Sequence, residues 1–100
     1  MGKLVRDRIP EIIQEDGKTP IIRLVDEEEY VRELDRKLCE EVEEYRADGS
    51  IEEMADVLEV LQAICIARGY TLQQLEEVRR KKAAERGGFK KRIYWEGNQD

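Results

Sequence analysis

The 100-residue chain carries 18 Lys and Arg against 24 Asp and Glu, a formal net charge of −6. Charged residues make up 42% and hydrophobic ones 40%, against about 25% and about 45–50% in an average soluble domain. This is the composition of one domain, residues 1–100, with a small core and a densely charged surface. No apolar run approaches the ~18–20 residues of a membrane span. The opening MGKLVRDRIP lacks the apolar stretch of a secretory signal. A cytoplasmic protein with two reduced, structural thiols, Cys39 and Cys65, is expected, with no membrane partner.

There is no histidine. That excludes the usual Cys/His zinc site and any His-activated nucleophile within the chain. Carboxylates, amines, hydroxyls or a bound metal remain as chemical equipment. The acidic balance argues against a nucleic-acid partner, but charge is unevenly spread. Residues 79–92, RRKKAAERGGFKKR, hold eight basic residues and one acidic one, Glu85. The segment is thus +7, the rest of the chain −13. Such a split suits a small anionic ligand held between acidic and basic parts.

Pro10 and Gly17 bracket a short helix over PEIIQED. KTPIIRLVD, rich in branched apolar residues after Pro20, predicts a short extended piece. From Glu27 to Asp48, Val31, Leu34, Leu38, Val42 and Tyr45 recur on one helical face. Asp48-Gly49 ends that helix. Ser50, with Glu53 three residues on, opens the next as a capping box, and Gly69 closes it. Met54, Val57, Leu58, Leu61, Ile64 and Cys65 cover nearly half its circumference, a stripe suited to several neighbours. Thr71 and Gln74 cap a third long helix running to Arg86, with Leu72, Leu75 and Val78 facing inward. After Gly87-Gly88, FKKRIYW alternates and predicts a second extended piece, pairing with residues 21–25. The fold class is all-α: a helical bundle with short extended N- and C-terminal segments. The wide second stripe calls for a second chain, making a homodimer or homotetramer.

Most of the acidic residues are ordinary solvated charges. Four are not, by their angles on the helices, at a helical turn of about 100° per residue. With Val31 at zero, the first stripe spans about 300° to about 20°. Glu41 falls at about 280° and Glu44 at about 220°, while Glu43 at about 120° points away. On the next helix, with Val57 at zero, Glu53 falls at about 320° inside the stripe and Asp56 at about 260° at its edge. Two carboxylate pairs, each spaced i, i+3, then face each other across a helical hairpin. Their repulsion needs a cation. Lys37, at about 240° on the same side of the first helix, serves in part. A divalent ion with oxygen ligands serves better. Hard oxygen ligands without His or Cys point to Mg²⁺, or Mn²⁺. Arg79, Lys82 and Arg86 continue the apolar face of the third helix. Near such a metal they would meet phosphate oxygens, the equipment of phosphoryl chemistry.

Glu40-Glu41-x-x-Glu44 followed by Glu53-x-x-Asp56 resembles the EExxE…ExxD signature of the all-α nucleoside triphosphate pyrophosphatases, which include MazG, the dimeric dUTPases and phosphoribosyl-ATP pyrophosphohydrolase. KLVRDRIPEII, KLCEEVEEY, EEMADVLEVL and KKAAERGGFKKRI look like the small MazG-like, phosphoribosyl-ATP pyrophosphohydrolase-like group. The resemblance spans about residues 3–93. It implies a helical bundle completed by another subunit. It implies Mg²⁺-dependent cleavage of the α–β phosphate bond of a nucleoside triphosphate, giving a monophosphate and pyrophosphate in the house-cleaning of non-standard or excess nucleotides. By motif position, Glu41, Glu44, Glu53 and Asp56 would be the metal ligands. Glu41 or Glu40 would be the general base. Lys82 and Arg86, with Arg6 or Arg8, would meet the leaving pyrophosphate. One departure stands out: the eight residues between Glu44 and Glu53 are fewer than is usual in MazG. Two other readings remain: phosphoribosyl-ATP hydrolysis, and a non-catalytic dimerisation module whose carboxylates pair with Lys37, Arg79 or Lys82.

Overall fold

The computed structural model describes residues 2–99. Four helices form in order: α1 (Ile9–Glu15), α2 (Glu27–Asp48), α3 (Ile51–Ala67) and α4 (Leu72–Arg86). Their boundaries follow from local chemistry. Pro10 sits in the first turn of α1, where its missing N–H is no loss. The Asp26 carboxylate accepts the Glu29 N–H at 2.9 Å and so starts α2. Gly49, with φ at 69°, closes α2 in the left-handed region. Ser50 Oγ accepts the Glu53 N–H at 3.3 Å and starts α3. Thr71 and Gln74 form a reciprocal capping box on α4. The Gln74 N–H donates to Thr71 Oγ1 at 3.0 Å, and the Thr71 N–H donates to Gln74 Oε1 at 2.8 Å.

Only two residues join α2 to α3, so the helices return on each other as an antiparallel hairpin. Leu34 and Val60 are buried between them, and Cys65 closes the far end. The Cys65 thiol donates to the Thr71 carbonyl at 3.3 Å, and Arg68 reaches Asp35 at 3.0 Å. Helix α4 meets only α3, and α1 packs on none of the other helices. Residues 4–8 are non-helical and lie along the α2–α3 groove, with Leu4 half-buried.

Two expectations fail. Among the described residues no strand forms, so FKKRIYW does not pair with residues 21–25. The Arg92 N–H instead donates to the Phe89 carbonyl at 3.1 Å, with Arg92 at φ 58°. This turn breaks the alternation that a strand needs. Nor do Leu72, Leu75 and Val78 face a core within this chain; all three are exposed. The molecule measures 64 × 31 × 23 Å. Its radius of gyration is 18.1 Å, against about 13 Å for a compact 100-residue domain. It exposes 9511 Å², where a globular chain of its mass exposes about 5,900 Å².

Candidate metal centre

The hairpin decides which side chains meet. With Gly49 and Ser50 as the turn, Glu41 of α2 comes opposite Glu53 and Asp56 of α3. One oxygen from each of the three carboxylates lies within 4.8 Å of the others. Glu41 is 7% exposed, while Glu53 and Asp56 are half-buried. The Oε2 atoms of Glu41 and Glu53 are buried without a hydrogen-bond partner among the described residues. Buried carboxylate oxygens left this way are costly. The capping box expected at the start of α3 is only half made: Ser50 accepts the Glu53 N–H, but the Glu53 carboxylate does not return the bond, unlike Gln74 on α4.

Electrostatics register the crowding. Burial pushes the Glu41 carboxyl above its usual range, and Glu44 and Asp56 push it further, against the pull of Lys37. Burial also raises Glu53, aided by Glu44, Asp56, Glu41 and Asp48. Two cations relieve the cluster in part. Lys37 Nζ lies 3.4 Å from Glu41 Oε1 and 3.3 Å from Glu40 Oε1. Arg6 Nη2 lies 2.6 Å from Asp56 Oδ1. Neither satisfies the orphaned oxygens of Glu41 and Glu53. An oxygen-seeking divalent cation fits what is left over: three hard anionic donors from two rigid helices, two of them with vacant lone pairs.

Glu41 and Asp56 of the cluster line a cleft of about 480 Å³. Val5, Arg6 and Arg8 line it, with Lys37 of α2 and Glu59 of α3. Of the residues read from sequence, the structure therefore unites Glu41, Glu53, Asp56, Lys37 and Arg6, with Glu40 beside them. Burial works to raise the Glu40 carboxyl, but hydrogen bonds and charge from Lys3 and Lys37 outweigh it and hold the group low. Glu44 is exposed and stays outside the close triad, although its charge is felt there. Arg8 lines the cleft but pairs with Glu11 at 3.1 Å. Lys82 and Arg86 are exposed on α4 and do not line the cleft of their own chain. Phe89, Tyr94 and Trp95 are all more than three-quarters exposed, and no core holds them.

Two participants were not foreseen. Lys3 reaches Glu40 at 3.3 Å, a contact that no periodicity signals because the segment is irregular. Glu59 lines the cleft one turn beyond Asp56. The Glu53, Asp56, Glu59 row at i, i+3, i+6 was a readable signal for it.

A protein of Mycolicibacterium smegmatis described only as uncharacterized is 57% identical over 47 residues. That match covers 47% of this chain and 48% of the relative, so the chain spans about half the length of the curated relative it matches. No family profile matches the chain, and no solved structure matches it.

Proposed function

We propose that the protein is a nucleoside triphosphate pyrophosphohydrolase that works with Mg²⁺ or Mn²⁺ in the cytoplasm, as a homodimer or homotetramer, on non-standard or excess nucleotides. The observation that carries this reading is the triad Glu41, Glu53 and Asp56, within 4.8 Å, with two buried unpartnered oxygens. The EExxE…ExxD motif is the second support. The triad would hold the cation, which when bound neutralises phosphate charge and makes a bound water more acidic.

The chain's own residues supply the rest. A carboxylate oxygen left free when the cation is held would serve as general base, with Glu41 and Glu40 as the two candidates. Water oxygen bonds to the α-phosphorus and its proton goes to that carboxylate. The α–β bridging bond breaks, and its electron pair leaves on pyrophosphate. Arg6 and Arg8 at the cleft mouth meet the phosphates. Lys82 and Arg86 would act from another copy of the chain, since their own cleft does not include them.

The test is product analysis over a panel of nucleoside triphosphates and phosphoribosyl-ATP with Mg²⁺. Monophosphate plus pyrophosphate, lost in Glu41→Gln, is the expected result. One observation favours a second reading, a non-catalytic helical module: the ion pairs Lys37–Glu41 and Arg6–Asp56. Such a module should melt at the same temperature with and without Mg²⁺. A pyrophosphohydrolase of this design should gain stability from it.

A further inference from the structure

We propose that Arg6 is a built-in counter-cation of the carboxylate site. It holds Asp56 while no divalent ion is bound and gives it up when one arrives, which frees the guanidinium at the cleft mouth. The proposal rests on the reading of the triad as a cation site.

Residues 3–8 carry the argument. Among the described residues, this segment makes no backbone hydrogen bond to α2 or α3. Its side-chain ion pairs to α2 and α3 are Lys3 to Glu40 and Arg6 to Asp56. Both Arg6 and Asp56 retain access to water, at 55% and 37% side-chain exposure, so the pair can exchange without opening the hairpin. The substitution of guanidinium for a metal is incomplete. Arg6 bonds one of the three clustered carboxylates and leaves Glu41 Oε2 and Glu53 Oε2 without partners. The formal charge of −3 on the triad falls only to −1 with Arg6 and Lys37 in place. A divalent ion in place of Arg6 brings that sum to zero and reaches the buried oxygens that a planar guanidinium does not. Metal loading and release of the 3–8 segment are then linked. The same cation that neutralises the triad makes Arg6 available for phosphate, so the site prefers metal and anionic ligand together.

The experiment is calorimetric titration of Mn²⁺ into the full-length protein and two variants. Arg6→Gln removes the competitor and should bind Mn²⁺ about threefold to tenfold more tightly, the scale of one exposed, charge-assisted pair. Arg8→Gln removes the same charge two residues away, from a side chain held by Glu11, and should stay within about twofold of the wild type. In parallel, trypsin cleavage of the wild type is followed by mass spectrometry. Mn²⁺ should speed cutting after Lys3 and Arg6. Equal or weaker Mn²⁺ binding by Arg6→Gln overturns the counter-cation role and leaves the cation site standing. So does an equal gain in Arg8→Gln, which reduces the effect to general charge. Absence of Mn²⁺ binding in all three proteins overturns the cation site itself, and this proposal with it. Should Arg6→Gln not fold, the wild-type digest decides: cutting slowed or unchanged by Mn²⁺ overturns the release.

Discussion

Glu41 illustrates how one residue serves site and stability in opposite senses. One of its oxygens lies against Lys37 and the other has no partner. Lys37 also holds Glu40 Oε1, so neutralising Glu41 strands no cation. In Glu41→Gln the metal-free melting temperature should hold or rise by a few degrees, at about 4–8 °C per kcal/mol for a domain of this size. Stabilisation by Mg²⁺ should vanish. If the pair with Lys37 is instead the purpose of Glu41, the same variant should lower the metal-free melting temperature. Thermal melts with and without Mg²⁺ separate the two. The pH dependence follows from the same burial. Glu41 and Glu53 have folded-state pKa values above the ordinary 4.5. Such groups favour folding when protonated, and that contribution is lost as pH rises through the folded-state value. Glu29, Glu40 and Glu76 are displaced the other way. Hydrogen bonds from Arg23 and Arg79 hold down Glu29 and Glu76, and for Glu40 the pull of Lys3 and Lys37 outweighs burial. Their stabilisation is lost as pH falls through their lowered values, below the ordinary 4.5. Metal-free protein should therefore melt at higher temperature at about pH 5 than at about pH 7.5, and lose stability in stronger acid. Saturating Mg²⁺ should abolish or reverse the first trend. A metal-free melting temperature that falls steadily from neutral pH would contradict the burial argument.

At the scale of elements, the caps do much of the specifying. Gly49 holds φ at +69° at the hairpin turn, with nothing near an added Cβ. Gly49→Ala is thus a pure backbone test, expected to lower stability by about 1–2 kcal/mol. Because that turn sets Glu41 opposite Glu53 and Asp56, Mg²⁺ affinity should fall as well. Thr71→Ala should act differently. It removes a cap contributing about 0.5–2 kcal/mol from a helix that packs only on α3. Circular dichroism should show α4 helicity falling, while the α2–α3 transition stays near its wild-type temperature. These contrasts also explain what was legible in the sequence. Ser50, Thr71 and the glycines mark boundaries through bonds to residues three or four positions away, so the helices were readable. The triad was readable because a two-residue turn makes Glu41, Glu53 and Asp56 neighbours by helical angle alone. Glu44 lies further round α2 and opens to solvent. The FKKRIYW strand and the inward face of α4 depended on contacts distant in sequence, which alternation and periodicity do not encode. Lys3 lies in a segment with neither pattern.

The whole molecule exposes about 3,600 Å² more than a compact chain of its mass would. A standard interface removes only about 800 Å² from each partner. The homodimer or homotetramer proposed above would remove part of this excess, and helix α3 offers a face for it. Its inner face holds Val60, Glu53 and Asp56 against α2. Ile51, Met54, Leu58 and Leu61 share an arc of about 80° on the other side, and all four are exposed in the single chain. This double-sided pattern is the physical content of the wide stripe read from the sequence. A second copy seated on the outer face would cover it. Light scattering should find a dimer or tetramer at micromolar concentration. Leu58→Glu places a charge at the middle of the outer face, away from the triad. It should shift the protein toward monomer and lower its melting temperature, because burying an unpaired carboxylate opposes association by several kcal/mol. Mn²⁺ binding to whatever remains folded should survive, since the triad is built within one chain, whereas nucleotide affinity should drop with the loss of the partner's cations. A Leu58→Glu protein that keeps the wild-type mass would place the interface elsewhere. A wild-type protein that is monomeric and cooperatively folded would mean that the exposed face has another cover within the chain.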